Sequence, residues 1–592
     1  MHELIVIGAG PHAMSLLSAL LETRPDKYLE HPDNGLLFYR PRGDAADWTR
    51  TSQTLMARDS HYHAARRQKK AEADAVKAVL QAVGKTGARA QRQTAYRAPT
   101  DGDLDDRVRD VGGQRLFHQR SGMQSPLAWL TARMTVLDKQ DAPPADCCGR
   151  HKLGAWMPLW RTQMKFLNVQ HLRSPVSHHP DAIDRFILWQ YAMAQGYSSE
   201  LDLIPLHIPR DATYSGPFLL PSSDLFWEYC GRVIVQGFAL ERVTQQGEVV
   251  RVVPVACRPR NPAEDDECGV CDHFSIHLRG GQVVTSRNVV LATGSSSAER
   301  RMPEWVQALH AAHALYPPHV LVHCSDLAIA PDRYLEPLRR RSPGLSDAEG
   351  VLNGRKIVII GGGLTSIHLS RVALDLGSRD VTLISRSNLS IQPFDVDVEW
   401  VGPRRAKRMA AFWSDRDPAS RASRLRSARF PSRAPCECGT GASITSEGLA
   451  LLDVALENGS MKILERIQIV NAKWVATSDE ATDSEWLLQL SNSQRLACDA
   501  VWLATGAAPN AETDPLLRDI CHQHPIEMVN GMPSLRPDLS WSRKCPGLFV
   551  MGPLAALEVG PGAPNLMGGR LAAGRIVPSL RERLDKAYMS GI

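Results

Sequence analysis

The sequence predicts an α/β protein with two Rossmann-like dinucleotide-binding domains, the second inserted into the first in chain order. Three observations predict it. An apolar run, Leu4-Ile5-Val6-Ile7, leads into Gly8-Ala9-Gly10-Pro11-His12-Ala13 and then into the helix-like stretch Met14–Leu21. The same order returns at Ile357-Val358-Ile359-Ile360, followed by Gly361-Gly362-Gly363-Leu364-Thr365-Ser366. Each loop is followed, much later, by an apolar strand ending in Ala-Thr-Gly, at Ala292-Thr293-Gly294 and at Ala504-Thr505-Gly506.

A short, wholly apolar run before a glycine turn reads as a buried parallel strand. In such a loop the first glycine makes the tight turn and the second lets backbone approach a pyrophosphate. The third position must be small where helix packs on strand, and Ala13 meets that need. The helix that follows presents unpaired N–H groups and a partial positive charge to the phosphates. At 592 residues the chain is too long for one core, so two such units fit its length.

The first domain opens over residues 1–42, with its second strand expected at Leu36-Leu37-Phe38-Tyr39-Arg40. That strand ends in Arg40 rather than the acid that usually takes ribose hydroxyls, which leaves the adenosine contact unassigned. Residues 43–150 are rich in Arg, Gln, Ala and Asp, and read as a polar, partly disordered insertion. The first domain continues over 151–350, with strands expected at Val233-Ile234-Val235, 248–255, 274–278 and 288–291. The second domain spans 351–510, with a helical or loop insertion near 403–447, and residues 511–592 return to the first through the strand 548–551 and Gly552. In the second domain the strand 380–385 ends in Ser385-Arg386. An arginine there suits the 2′-phosphate of NADP, whereas NAD is usually held by a carboxylate, so NADPH is the expected second nucleotide.

Composition narrows the class further. The chain is 43% hydrophobic and 22% charged, and no run approaches the roughly 20 apolar residues that span a bilayer. With no leader-like N-terminus, a cytoplasmic protein is expected. The net charge of +5 is concentrated in residues 51–120, which hold 14 Lys/Arg against 8 Asp/Glu, so no nucleic-acid surface is expected. Among the twelve cysteines, Cys268-Gly269-Val270-Cys271, with Cys257 before it and His273 after, reads as the tip of a hairpin, and Cys436-Glu437-Cys438 likewise. No metal site is expected. The cluster His178-His179-Pro180-Asp181 reads as a loop beside a cofactor rather than as a ligand set. The stretch Phe394–Trp400 reads either as a substrate-facing acidic segment or as a solvated loop.

Several further stretches carry a resemblance. They are Gln163-Met164-Lys165-Phe166-Leu167 leading to Leu172-Arg173-Ser174-Pro175, then Leu220–Phe226, Gly361–Ser366, Ala504–Asn510, and finally Gly552-Pro553 with Asn565-Leu566. Outside 43–150 the chain resembles the class B flavin monooxygenases, especially their N-hydroxylating branch of ornithine and lysine N-monooxygenases and its FAD/NAD(P)-binding oxidoreductase relatives. The resemblance implies FAD at the Gly8 loop and NADPH at the Gly361 loop. It also implies a cycle in which NADPH reduces FAD, the reduced flavin takes up O2, and a C4a-hydroperoxyflavin passes one oxygen to a nucleophilic nitrogen of a small-molecule substrate.

On the same resemblance Gln163 and the Phe166-Leu167 region line the flavin and substrate side. Gly552, Pro553, Asn565 and Leu566 lie near the flavin ring. The amino-acid hydroxylases continue Phe-Leu with a lysine that holds the substrate carboxylate; this chain has Asn168, so ornithine or lysine does not follow as substrate. No catalytic triad or acid pair is expected, and the oligomeric state is left open. Two alternatives stand beside this reading. One is oxygenation of sulfur or a carbonyl. The other is a flavin-binding regulatory protein similar to the oxidative stress-induced growth inhibitors, which share the stretches at 154–156 and 551–555. A disulfide reductase is excluded, since no cysteine precedes Cys147 and the expected Cys pair after the first glycine helix is missing.

Overall fold

The computed structural model describes residues 1–22, 126–139, 156–181, 187–195, 203–206, 218–256, 269–294, 298–340, 350–401, 405–429, 443–476 and 484–590. Two five-stranded parallel sheets organise them. The strands that build the sheets are β1 (Leu4–Ile7), β2 (Met134–Asp138), β3 (Thr244–Gln246), β4 (Val289–Leu291), β5 (Leu321–His323), β6 (Lys356–Ile360), β7 (Asp380–Ser385), β8 (Met461–Glu465), β9 (Ala500–Leu503) and β10 (Leu548–Val550). The first sheet runs β10-β4-β1-β2-β3 and the second β5-β9-β6-β7-β8. All neighbours are parallel, with Ile5 opposite Thr135 and Val289, and Ile357 opposite Val381 and Ala500. The predicted fold class is thus the observed one.

Each glycine-loop strand is central in its sheet, which explains its composition. All four residues of β1 are buried, because covering elements lie on both faces. In β6 the alternation of strand side chains divides two cores: Ile357 and Ile359 face one cluster and Val358 the other. The first of those clusters holds Ile367, Leu369 and Ala373 of the helix after the loop. The second holds Trp486 and Leu488 of an antiparallel three-stranded sheet, Ile469–Ala476, Ser484–Leu490 and Arg495–Cys498. The first domain has a similar antiparallel sheet, Val249–Ala256, Cys271–Leu278 and Val283–Ser286, just before β4.

Six helices matter below: α1 (Pro11–Leu21), α2 (Pro158–Phe166), α3 (Leu364–Asp375), α4 (Arg405–Ser414), α5 (Pro418–Arg429) and α6 (Leu566–Ser590). None of the described helices is long and apolar enough to cross a membrane.

The structure corrects three expectations. The strands beside β1 are Met134–Asp138 and Val289–Leu291, and the expected strand Leu36–Arg40 lies outside the described residues. The usual spacing of a βαβ unit fails here because more than a hundred residues separate β1 from β2. Consequently part of the expected insertion, Pro126–Asp138, supplies a helical turn and a sheet strand. Val233-Ile234-Val235 is not a strand but part of a π-helical segment, Cys230–Gln236, that extends the helix Ser223–Tyr229. A three-residue β-branched run has no period of its own. The helix start at Ser222, whose hydroxyl accepts the Leu225 N–H at 3.1 Å, decides the conformation. Finally, α4 and α5 arise within the second domain in sequence, yet Met409, Phe412, Trp413, Ala422 and Leu425 join the core of the first.

Candidate functional site

Both glycine loops close by the same contact. Gly8 has φ +103°, and a Cβ on it would lie 2.7 Å from the Ala292 carbonyl oxygen. A Cβ on Gly361 would lie 2.4 Å from the carbonyl oxygen of Ala504. The Gly8 N–H donates to Leu137 O at 2.8 Å and the Ala292 N–H to Ile7 O at 2.9 Å. The second sheet repeats this with Gly361 N–H to Ile384 O at 3.0 Å and Ala504 N–H to Ile360 O at 2.8 Å. The Ala-Thr-Gly stretches therefore matter because their alanine carbonyls leave room only for glycine. A Cβ on Gly10 would meet nothing within 4 Å, so open space lies before α1. Gly10 and Gly363 are the N-caps of α1 and α3, with no side-chain cap, which leaves first-turn N–H groups for an anion.

Sequence reasoning missed the acid of the first domain. Asp138 ends β2, and its Oδ2 accepts the Ala9 N–H at 2.8 Å. It stands where the dinucleotide fold places the carboxylate for ribose hydroxyls. The signal was present as Met134-Thr135-Val136-Leu137-Asp138, an apolar run ending in an acid, but it is embedded in polar sequence.

The structure brings other predicted residues together around His12. Its Nε2 lies 3.1 Å from Asn565 O, and a Cβ on Gly552 would lie 3.2 Å from its Nδ1 and 3.7 Å from the Gly294 Cα. Gly569 of α6 lets His12 pass, since a Cβ there would come within 2.5 Å of the ring. Burial pushes the His12 imidazole below its ordinary pKa, partly offset by the Asn565 carbonyl. Thr293 precedes this junction, Pro553 is buried in the turn after Gly552, and Leu566 opens α6.

At the second loop Leu364 and Thr365 form the first turn of α3, and the Ser366 hydroxyl donates to Gly363 O at 2.7 Å. The Thr505 hydroxyl is buried without a hydrogen-bond partner, and Gly506 follows at φ +74°. Arg386 is exposed at the end of β7. It has two companions: burial and then the like charges of Arg429 and Arg386 hold the Arg301 pKa below its ordinary value. Arg301 is itself anchored by its backbone N–H to Gly506 O at 3.0 Å. Three guanidinium groups thus share one region at this end of the second sheet.

No protein-family model matches the chain, and no curated protein matches it by sequence. Solved structures do. An ornithine N-hydroxylase from Kutzneria sp. 744, solved with reduced FAD, NADP+ and L-ornithine, aligns with a TM-score of 0.54 at 14% identity, covering 98% of this chain and 99% of the other. The ornithine hydroxylase PvdA from Pseudomonas aeruginosa aligns with a TM-score of 0.53 at 14% identity, covering 98% and 99%. Its reduced form gives 0.54 at 14% identity, covering 99% and 100%. This chain has the ornithine hydroxylase fold.

Within the hydroxylase fold, α2 joins the two glycine-loop domains. At its head the Met157 N–H donates to Ala9 O at 3.0 Å, beside the first glycine loop. At its foot Leu167 is buried, and Phe166 packs, in the core beneath the second sheet. Leu167 thus serves packing, while Phe166 stays half-buried. Gln163 lies between these two ends. Asn168, at φ +50°, terminates α2 with its N–H on Lys165 O at 3.1 Å, and Gln170 donates to its side-chain oxygen.

Arg173 is a second joint. Its guanidinium donates to Gln392 O at 2.7 Å, Phe394 O at 2.8 Å and Ser443 Oγ at 2.9 Å, and pairs with Asp395 at 2.6 Å. Phe394–Trp400 accordingly serves packing: Phe394 stacks edge-on against Phe218, with centroids 5.0 Å apart, and Asp397 accepts the Glu399 N–H at 2.8 Å. The His178-His179 loop packs on α1, where the Ser18 hydroxyl donates to Pro180 O at 3.0 Å, and His179 lies 3.2 Å from the Tyr229 hydroxyl. Among the described residues these histidines take part in no metal-ligand cluster.

Proposed function

We propose that the protein is an FAD- and NADPH-dependent monooxygenase that hydroxylates a nucleophilic nitrogen of a small molecule, with O2 as co-substrate. The observation that carries the reading is the repeated junction: two parallel sheets, each closing a glycine loop against an Ala-Thr-Gly carbonyl, in one ornithine hydroxylase fold. FAD fits the first loop through the open space at Gly10, the uncapped α1 and the carboxylate of Asp138. NADPH fits the second through the uncapped α3, the unpartnered Thr505 hydroxyl and the arginine trio.

When bound, reduced FAD supplies the activation of O2 from which one oxygen atom reaches the substrate. The chain's residues bind, orient and exclude water. Gly8 and Gly10 admit the pyrophosphate and Asp138 holds the ribose. Gly294, Gly552, Pro553, Asn565 and Leu566 border the ring end of the site, and Gln163 faces the region between the loops. Gly361, Gly363, Leu364, Thr365 and Arg386 hold the second nucleotide, whereas Ser366, expected with them, is fully buried with its hydroxyl and N–H both on Gly363 O and only shapes the loop. Asn168 carries no charge, so a free substrate carboxylate finds no cation at that position; amines lacking a carboxylate are the favoured class.

Two measurements test this. Anaerobic addition of NADPH to flavin-loaded protein is expected to bleach the flavin. A flavin that stays oxidised would sink the monooxygenase reading in favour of a regulatory flavoprotein. In air, a panel of amines, amino acids and sulfides is then scored for NADPH consumption against peroxide release. Coupled turnover with an amine supports N-hydroxylation, and coupling only with sulfides overturns it.

A further inference from the structure

A cluster at the end of β10 opposite Gly552 carries no role in this chemistry. Cys271, His524 and Cys545 come from three separate segments, yet their ligand atoms all lie within 4.8 Å of one another. All three are buried, at 5%, 8% and 0% exposure. We propose that these residues form a structural zinc site.

The donor set is the first argument. Two thiols and one imidazole make the sulfur-and-nitrogen shell that zinc prefers, and their spacing suits adjacent corners of a tetrahedron. The fourth corner is filled by solvent or a further ligand. Cys268, the partner of Cys271 in the sequence pair, lies outside the described residues, and the site is drawn on three residues alone.

The second argument is preorganisation. Each residue is held in place through its backbone. Of the ligand atoms, Cys271 Sγ donates to His273 O at 3.3 Å, a bond that ends when the thiol loses its proton to bind the ion. The Cys271 N–H donates to Lys544 O at 2.7 Å, which brings the two cysteine segments together. The Cys545 N–H donates to Ser542 Oγ at 3.1 Å, inside a turn. His524 is positioned by its backbone: its N–H donates to Ile520 O at 2.8 Å and its carbonyl accepts Trp541 Nε1–H at 2.7 Å.

The third argument is location. Cys271 opens the middle strand of the antiparallel sheet, His524 caps the helix Arg518–Gln523, and Cys545 precedes β10. An ion here would tie all three together, where the Arg251–Asp519 pair, at 2.6 Å, already joins the first two. Cys545 lies before β10 and Gly552 after it, so the cluster and the flavin-side glycine are at opposite ends of one strand. The site braces that strand and takes no part in oxygen transfer. Zinc entry displaces both thiol protons to solvent, and the ion's two charges balance the two thiolates.

Elemental analysis of flavin-loaded protein, purified under reductant without chelator, is expected to find about one zinc per chain. X-ray absorption at the zinc edge is expected to give sulfur at about 2.3 Å and nitrogen at about 2.0 Å. Cys271→Ser and Cys545→Ser should lose the metal, while Cys521→Ser, a nearby cysteine outside the cluster, should keep it. In case the serine variants misfold, wild-type protein stripped by a chelator and kept reduced should take zinc back stoichiometrically with its flavin still bound. Stripped, reduced wild-type protein that takes up no zinc overturns the proposal. So does uptake equal to that of Cys545→Ser, or a Cys271–Cys545 disulfide in protein alkylated at lysis.

Discussion

The nucleotide preference proposed for Arg386 depends on its neighbours as well as on the residue itself. Its position at the end of β7 suits a 2′-phosphate, and Arg301 and Arg429 add like charge to the same region. Charge-assisted hydrogen bonds contribute about 1.5–3 kcal/mol each, so Arg386→Ala should weaken NADPH binding roughly 10- to 100-fold. NADH, which lacks the phosphate, should be little affected; titration with both nucleotides checks this, and equal losses contradict the assignment. His12 makes a pH-dependent contribution. Burial lowers its pKa in the folded protein, so the unfolded chain binds a proton near pH 6.5 that the folded one refuses. Stability is therefore intact above about pH 6.5 and falls as pH drops below it, until the folded pKa is reached. Thermal midpoints measured from neutral to mildly acidic pH should decline, and His12→Asn should flatten the decline.

At the scale of elements, the turn between strand and helix tolerates no side chain where it touches the neighbouring strand. A Cβ on Gly361 meets a backbone carbonyl at 2.4 Å, and that carbonyl belongs to a paired strand end that cannot yield without loss of register. Gly361→Ala is expected to abolish flavin reduction by NADPH while FAD remains bound. Gly8→Ala, forced also into φ +103°, should yield protein that has lost FAD. Absorbance of the purified variants separates the two cases, and full FAD occupancy in Gly8→Ala would count against the loop assignment. In helix α2 the stretch Phe166-Leu167 is part of a recognisable pattern, and in the structure Leu167 joins the core while Phe166 packs against it half-buried.

Across the whole molecule the parts are joined by polar hubs. Besides Arg173, Glu558 binds Arg421 of α5 and, at 3.3 Å, Arg575 of α6, while the Trp413 indole N–H donates to the Glu558 carbonyl at 2.9 Å. Arg575 is 6% exposed and stacks over Trp413 at 4.7 Å. Glu558→Ala would leave that buried guanidinium without its carboxylate, keeping neutral contacts such as the Pro537 carbonyl at 3.3 Å, at a cost of up to about 3–5 kcal/mol. A fall of several degrees in the thermal midpoint is expected, with Glu558→Gln intermediate. An unchanged midpoint would mean that solvent reaches the cluster.

The glycine loops, their strands and the closing Ala-Thr-Gly stretches were legible because their demands are local: a turn that excludes Cβ and a buried strand each leave a mark in consecutive residues. From those marks the α/β class and the two glycine-loop units followed. Sheet order is not local. It placed Asp138 beside Ala9 across 129 positions of chain, Arg386 and Arg429 near Arg301, and Cys271 beside His524 and Cys545. It also turned Val233-Ile234-Val235 into helix and moved α4 and α5 onto the first domain's core. Only the tertiary structure decided these, because the energy that selects them comes from burial and pairing between segments whose separation in sequence carries no pattern.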